Sequence, residues 1–253
     1  NFDLTVLDPA FLNKIFKERI KNLNVETVAD YESILQNDHS EISLLRSELF
    51  ISYSEFFRDS LAWSFVQQKL LPSIASDLTK EVRIWSVACS AGQEAYTMAM
   101  LIDEFNVLNK KNINYRIFAT DINEGLIRFA ENGVYPLEML GNISLKRFSD
   151  YFEKRDDQRY QLKTGLKNKT QFSVFNILSN NLFSPSGSIF GDFDVILCCN
   201  VLFYYDTATR KKIVSKLLHS INEGGYILTT ESEALLFENS LSRVYPYVPL
   251  LKK

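Results

Sequence analysis

The chain has 253 residues, of which 46% are hydrophobic and 23% are charged, and its formal net charge is −3. This composition is typical of a globular protein with one large domain, or a large domain and a small companion, and the near-balanced charge gives no sign of a nucleic-acid partner. Three cysteines argue against a disulfide framework, and two histidines without C-x-x-C or H-x-x-x-H spacing leave little from which to build a metal site.

The amino-terminal stretch carries no targeting signal. It reads NFDLTVLDPAFLNKIF and lacks the charged, apolar and small-residue regions of a signal peptide. The longest apolar stretch, from Val195 to Tyr205, contains Asn200 and is shorter than the about 20 residues that cross a bilayer. We therefore expect a cytoplasmic protein without membrane insertion.

Residues 1–61 are predicted to form a helical domain and linker, because they contain no glycine and their apolar residues recur at helical spacing. The first helix carries a run of basic residues broken only by Glu18. These residues are Lys14, Lys17, Arg19 and Lys21. They could form a basic face for a partner or an ordinary solvated helix face, and the sequence leaves both open.

From residue 62 onward the pattern is that of a doubly wound α/β domain, with short apolar strands alternating with amphipathic helices. The predicted strands are Val82 to Ala88, Tyr115 to Thr120, Asp194 to Asn200 and Tyr226 to Thr230. Gly224 and Gly225 are expected to end the helix before the last strand. The adjacent Cys198 and Cys199 are expected as small apolar residues of a buried strand.

A polar insertion at about 151–177 is predicted to form a small antiparallel β-subdomain. Its segments RYQLK and TQFSVF alternate between polar and apolar residues and flank a Gly-Leu-Lys-Asn turn, which is typical of a hairpin.

The turn after the first predicted strand is a candidate cofactor site. It runs from Ser86 to Glu94 and contains Gly92 but no G-x-G-x-x-G pattern, so a phosphate-binding loop for NAD is poorly supported. A nucleoside cofactor without phosphates is favoured, because ligands of open α/β sheets bind beyond the carboxyl ends of the strands.

Polar residues follow three other predicted strands. Asp121 could accept hydrogen bonds from both ribose hydroxyls, or it could cap the helix that begins near Asn123. Asn176 and Asn200 could hydrogen-bond a cofactor, or could satisfy the backbone of their own loops. Upstream, Arg58 follows two phenylalanines whose packing alone does not require an arginine.

Taken in order, these segments resemble the CheR family of chemoreceptor glutamate O-methyltransferases. The matching motifs are S-E-F-F-R-D, I-W-S-V-A-C-S-A-G-Q-E-A-Y-T, A-T-D-I, F-N-I-L and C-C-N-V-L-F-Y-Y. The resemblance covers almost the whole chain. It implies an all-α N-terminal domain, a Rossmann-like class I methyltransferase domain over 62–253 and the small antiparallel β-subdomain.

The resemblance also implies site residues. Arg58 and Tyr204 would border the transferred methyl group, with no metal involved. Cofactor contacts would come from Ser52, Ser54, Arg58, Gly92, Glu94, Asp121, Asn176, Ile177, Asn200 and Val201. Two departures from the family pattern bear on activity, since Gln93 stands where a glutamate is usual and Cys199 where an arginine is usual.

The implied activity is methylation of receptor glutamates with S-adenosylmethionine, giving S-adenosylhomocysteine, in chemotactic adaptation. The implied partners are the cytoplasmic helical region of chemoreceptors and a receptor tail peptide at the β-subdomain, and a monomer is expected. The alternatives are a methyltransferase of another substrate and a cofactor-binding regulatory module without turnover, the latter motivated by Gln93 and Cys199. An NAD-dependent oxidoreductase is disfavoured because the second and third glycines are missing.

Overall fold

A computed structural model describes residues 3–49, 54–76, 80–179, 184–185, 187–188 and 191–253. Contacts divide the chain into two compact units. The helical unit comprises Asn1–Tyr53 and Phe203–Arg210, and the sheet unit comprises Ser54–Leu202 and Lys211–Lys253. The segment Phe203–Arg210 groups with the helices, whereas the sequence prediction gave it to the methyltransferase domain.

The helical unit contains α1 (Pro9–Asn22), α2 (Val28–Asn37) and α3 (His39–Leu49). Side chains define where the first two begin, because Asp8 accepts the N–H groups of Ala10 and Phe11, and Thr27 accepts that of Asp30. Its buried core consists of Leu7, Ile15, Leu45 and Leu49, with Tyr204 and Tyr205 packed against it.

Arg19 does not contribute to an exposed basic face on α1. Its side chain is buried, and its Nε donates to Oε1 of Glu41 on α3 at 2.8 Å. The hydroxyl of Tyr31 donates to the same oxygen at 2.7 Å, and Nη1 of Arg19 donates to Glu48 at 2.9 Å. Arg19 is therefore a structural residue, and only the lysines of the predicted face are exposed.

The sheet unit is built on a mixed sheet of seven strands within the described residues. The strands are β1 (Val82–Val87), β2 (Tyr115–Asp121), β6 (Thr170–Val174), β7 (Phe193–Leu197), β8 (Ile221–Leu228), β9 (Ser242–Arg243) and β10 (Leu250–Lys252). Their order in the sheet is β6-β2-β1-β7-β8-β10-β9. Strands β6, β2, β1, β7 and β8 pair in parallel, and β10 pairs antiparallel with both of its neighbours. This confirms the predicted Rossmann-like class I fold.

Helices cover the sheet, and the longest of the described helices lies between β1 and β2 in the chain. The helices are α4 (Ser60–Phe65), α5 (Leu71–Ile74), α6 (Gln93–Asn109), α7 (Glu124–Asn132), α8 (Leu145–Tyr151), α9 (Thr164–Lys167), α10 (Thr207–Ser220) and α11 (Glu231–Ala234). A π-helical turn, Val66–Leu70, joins α4 to α5. In the ranges that the structure describes, no helix combines the length and apolar character needed to cross a bilayer.

The second sheet differs from the predicted hairpin. Within the described residues it has three antiparallel strands in the order β3-β5-β4, from Val134–Pro136, Arg159–Leu162 and Phe152–Lys154 respectively. The segment TQFSVF does not pair with RYQLK, because it forms β6 at the edge of the main sheet, and the intervening turn is α9. A small antiparallel sheet is therefore present, but its third strand lies before residue 151.

The glycines after α10 also differ from expectation. The helix ends at Ser220, and Gly224 and Gly225 lie inside β8. Gly224 has φ +76°, and the pairing of β7 with β8 is irregular between Phe193 and Val195. The glycines therefore lie in the irregular first part of a strand, and they do not end the preceding helix.

Candidate active site

The turn between β1 and α6 has an unusual backbone. Ala88 and Ser90 have φ of 50° and 53°, and Gly92 has φ of 85°. A Cβ atom at Gly92 would lie 2.9 Å from Cβ of Ala130 and 3.0 Å from the Phe172 ring. Gly92 is therefore required by both its conformation and the packing of α7 and β6 against the turn.

Asp121 ends β2 and is held by that turn. Its Oδ2 accepts the N–H of Ser90 at 2.9 Å, and its Oδ1 accepts the N–H of Asn123 at 2.9 Å. Burial raises the pKa of Asp121, and the backbone N–H groups oppose this rise. The helix cap of α7 is Asn123, which accepts from Gly125 at 2.9 Å, so the alternative reading of Asp121 as the cap is wrong.

Glu94 lies in the first turn of α6, partly buried. Its Oε1 accepts the hydroxyl hydrogen of Ser86 at 2.8 Å, and the nearby thiol of Cys199 donates to the carbonyl of Leu228 at 3.7 Å. Burial raises the pKa of Glu94 to about 7, and the charge of Glu233 adds to this rise. The proximity of Cys199, the hydroxyl of Ser86 and the charge of Arg58 act in the opposite direction.

Asn200 and Val201 follow β7 in a loop held by one carboxylate. The N–H groups of Asn200 and Val201 donate to Glu233 at 2.9 Å each, and the N–H of Leu202 donates at 2.7 Å. Glu233 lies on α11 and is only 2% exposed. The structure thus ties the loop after β7 to the short helix after β8.

Asn176 and Ile177 follow β6, next to β2. The N–H of Phe175 donates to the carbonyl of Asp121 at 2.9 Å, which keeps the two strand ends together. Oδ1 of Asn176 accepts the N–H of Leu178 at 2.9 Å, so this oxygen serves its own loop, as the alternative interpretation anticipated. The Ile177 side chain is buried.

The segment that carries Arg58 is fixed by α6. The N–H of Phe57 donates to Oγ1 of Thr97 at 3.2 Å, and Nε2 of Gln93 donates to the carbonyl of Ser54 at 3.2 Å. Phe57 itself has φ of 53°, so its conformation depends on such contacts. Gln93 is fully buried, and its Nε2 is a donor that a glutamate at this position would lack.

Aromatic packing fixes the same segment from the side of the small sheet. The ring of Phe56 meets Tyr135 of β3 edge-on at 5.1 Å and Phe152 of β4 at 5.8 Å. The guanidinium of Arg147 lies 4.0 Å from the centre of the Phe57 ring and pairs with Glu104 at 2.7 Å. Arg58 itself is exposed, so its backbone is held while its side chain reaches solvent.

Several of the predicted site residues lie together at the carboxyl ends of the strands. Glu94 bonds to Ser86 at the end of β1, and Asp121 bonds to Ser90 in the turn that leads to α6. Asn200 follows β7, which pairs with β1. Ser52 lies outside the described residues. Tyr204 belongs to the helical unit, where its ring meets Phe11 edge-on at 5.1 Å.

Sequence reasoning missed Thr97 and Glu233. A signal for Glu233 existed, because Thr230 and Glu233 match the T-x-x-E pattern of a capping box. That pattern predicts a bond to the local backbone, whereas Glu233 bonds to a loop that is distant in sequence.

The donor set fits an adenosyl amino-acid cofactor. Carboxylates such as Asp121 can accept from ribose hydroxyls, buried Ile177 and Val201 can border an apolar base face, and the turn has one glycine instead of a phosphate-binding set. Among the described residues, no group of three or more histidine, cysteine, aspartate or glutamate side chains could hold a metal ion.

Comparison with known proteins agrees with this geometry. Residues 52–247 match the family described as "CheR methyltransferase, SAM binding domain". The chain belongs to the CheR methyltransferase family. This confirms the family predicted from the motifs, and the matched domain is one that binds S-adenosylmethionine.

Individual relatives extend the match over most of the chain. The chemotaxis protein methyltransferase of Borreliella burgdorferi is 28% identical over 234 residues, which cover 90% of this chain and 81% of that protein. Chemotaxis protein methyltransferase 1 of Vibrio cholerae is 35% identical over 182 residues, covering 71% of this chain and 64% of that protein. Among solved structures, the N-methyltransferase NodS from Bradyrhizobium japonicum is similar with a TM-score of 0.40 and 12% identity, covering 75% of this chain and 85% of that one.

Proposed function

We propose that this chain transfers a methyl group from S-adenosylmethionine to glutamate side chains of chemoreceptors in the cytoplasm, forming glutamate methyl esters and S-adenosylhomocysteine. The observation that carries the proposal is the gathering of Glu94, Asp121 and the Asn200 loop at the carboxyl ends of β1, β2 and β7 in a CheR-family chain. Relatives named chemotaxis protein methyltransferase support the substrate class.

In this proposal Asp121 accepts the ribose hydroxyls and Glu94 faces a cationic part of the cofactor. Further contacts are assigned to Ser52, Ser54, Arg58, Gly92, Asn176, Ile177, Asn200 and Val201. S-adenosylmethionine, when bound, supplies a methyl group that its sulfonium makes electrophilic. The partly buried carboxyl group of Glu94 suits this ligand, because a desolvated carboxylate gains most from a cationic partner.

The chain needs no general base for this reaction. A glutamate carboxylate has a reference pKa of about 4.3, so the nucleophile is already ionised at neutral pH. The chain's task is to orient that carboxylate in line with the methyl group and to exclude water, because opposite charges disappear as the bond forms. Arg58 is proposed to orient the substrate carboxylate through its guanidinium, and the exposure of its side chain supports this.

Tyr204 remains a prediction from the family resemblance. Its phenol could donate a hydrogen bond to the substrate carboxylate or border the methyl group. The proposed partners likewise come from the family: the helical cytoplasmic region of a receptor, and a receptor tail peptide at the sheet formed by β3, β5 and β4. Lys14, Lys17 and Lys21 are exposed on α1 and are available for such a contact.

The test is transfer of tritiated methyl groups from S-adenosylmethionine to purified cytoplasmic fragments of chemoreceptors. We expect label that is released as methanol in base, which is diagnostic of a methyl ester. Receptor fragments with glutamine in place of the methylated glutamates, and the variant Arg58→Ala, should both take up little label. Absence of transfer to every receptor fragment would contradict the proposed substrate.

The identity of residue 199 favours a second candidate, a cofactor-binding module without turnover. In this chain Cys199 stands where the family usually has an arginine, and burial, with the charge of nearby Glu94, raises the pKa of its thiol. Tight binding of S-adenosylhomocysteine without transfer to any receptor fragment or small-molecule acceptor would support this candidate over the first.

A further inference from the structure

Glu233 holds three successive backbone N–H groups, those of Asn200, Val201 and Leu202, in the described part of the chain. We propose that Glu233 is a positioning residue that sets the conformation of the 200–202 loop for cofactor binding. This inference rests on the proposed function, since Asn200 and Val201 are assigned there as cofactor contacts.

The loop begins with an unusual backbone conformation. Asn200 adopts φ of 61°, in the left-handed region, immediately after β7 ends at Leu197. Successive N–H groups that converge in this way form a concave site for an anion. Here the anion is the side chain of Glu233, so the loop offers its side chains and carbonyl groups, and not these N–H groups, to a ligand.

Hydrogen bonds and buried neighbours fix the position of Glu233. Its carboxylate also accepts the hydroxyls of Thr229 at 3.1 Å and Thr230 at 2.8 Å. Ala234 and Phe237, just after it, are fully buried. The carboxyl group of Glu233 is only 2% exposed, and donors surround it as the burial of a polar group requires. Bonds from N–H groups to a charged acceptor are stronger than neutral ones.

Glutamine cannot replace this carboxylate. The amide side chain of glutamine has one acceptor oxygen and an NH₂ group, so at least one N–H of the loop would face another donor. Glu233→Asp keeps both oxygens but shortens the side chain, and should retain part of the effect. Glu231→Gln is the matched control, because Glu231 lies on the same short helix, is exposed and pairs with Arg243.

The experiment is titration of each full-length variant with S-adenosylhomocysteine by calorimetry, at a temperature where circular dichroism shows all of them folded. We expect the Kd of Glu233→Gln to rise at least tenfold, that of Glu233→Asp to rise less, and that of Glu231→Gln to stay within twofold of wild type. Wild-type affinity in a folded Glu233→Gln would overturn the inference.

Amide hydrogen exchange of the wild-type chain provides an independent readout if Glu233→Gln fails to fold. The amides of Asn200, Val201 and Leu202 should exchange slowly although they follow the end of the strand, and exchange at the rate of an unstructured peptide would overturn the inference. Failure of the wild-type protein to bind S-adenosylhomocysteine would instead contradict the proposed function. In that case, slow exchange of these amides would still support the hydrogen bonds between Glu233 and the loop.

Discussion

The hydroxyl of Ser86 donates to Oε1 of Glu94 at 2.8 Å, and this bond joins the end of β1 to the first turn of α6. The thiol of Cys199, just beyond β7, lies close enough to this carboxyl group to affect its pKa. Glu94 therefore links the end of β1 to α6, and its ionisation should report on the candidate site.

Glu94→Gln should stabilise the protein without cofactor at alkaline pH. Because the pKa of Glu94 is about 7 in the folded chain and about 4.5 in the unfolded chain, the folded state binds more protons between these values, and the free energy of unfolding falls as pH rises through this window. Glutamine does not titrate, so the variant should gain up to about 3 kcal/mol over wild type between pH 4.5 and pH 8. Urea unfolding at both pH values measures this difference, and a pH-independent difference would contradict the assignment.

Asp121→Ala should weaken cofactor binding much more than folding. The carboxylate organises the turn at Ser90 and is the proposed ribose ligand, and loss of hydrogen bonds to a charged acceptor should raise the Kd for S-adenosylhomocysteine at least about tenfold. Asp157→Ala is the control, because the Asp157 side chain is fully exposed. Unchanged affinity of Asp121→Ala by calorimetry would reject the ribose role.

Thr97→Val should lower turnover more than cofactor affinity. Valine has nearly the same shape but cannot accept the N–H of Phe57, so the backbone that carries Arg58 would lose one of its supports. We expect the methylation rate at saturating cofactor to fall about tenfold, which corresponds to about 1.4 kcal/mol, with the Kd for S-adenosylhomocysteine within twofold. Thr164→Val, at an exposed threonine, is the control, and equal rates for both variants would refute the role of Thr97.

Arg19→Ala should destabilise the helical unit strongly. The substitution leaves Glu41 buried without its guanidinium partner, and breaking a buried pair in this way costs about 3 kcal/mol or more. Lys17→Ala changes an exposed residue of the same helix and should shift stability by no more than about 0.5 kcal/mol. Urea unfolding followed by circular dichroism compares the two, and similar midpoints would show that the pair contributes little.

The main sheet was predictable because its central strands are mostly apolar and buried, as in Val82–Val87 and Phe193–Leu197. The edge strand Thr170–Val174 was not, because one of its faces is exposed. Its burial alternates from residue to residue, and in sequence that alternation is the same as in a hairpin strand. The strand Val134–Pro136 is too short for any periodicity to reveal it.

That the candidate residues at strand ends lie near one edge was predictable, because the topology of parallel sheets brings those ends together. The burial of Arg19 was not predictable, because its partner Glu41 lies on another helix and local spacing indicates only that Arg19 is basic. Glu233 was missed for the same reason, since its bonds join α11 to a loop that is distant in the chain.

The central claim is that the carboxyl ends of β1, β2 and β7 form a pocket for S-adenosylmethionine and its product. The most direct measurement is a calorimetric titration of the wild-type chain with S-adenosylhomocysteine at pH 8, where Glu94 is ionised. We predict saturable binding of one ligand per chain, and binding that weakens as the pH is lowered below 7. No detectable binding at millimolar ligand would contradict the claim.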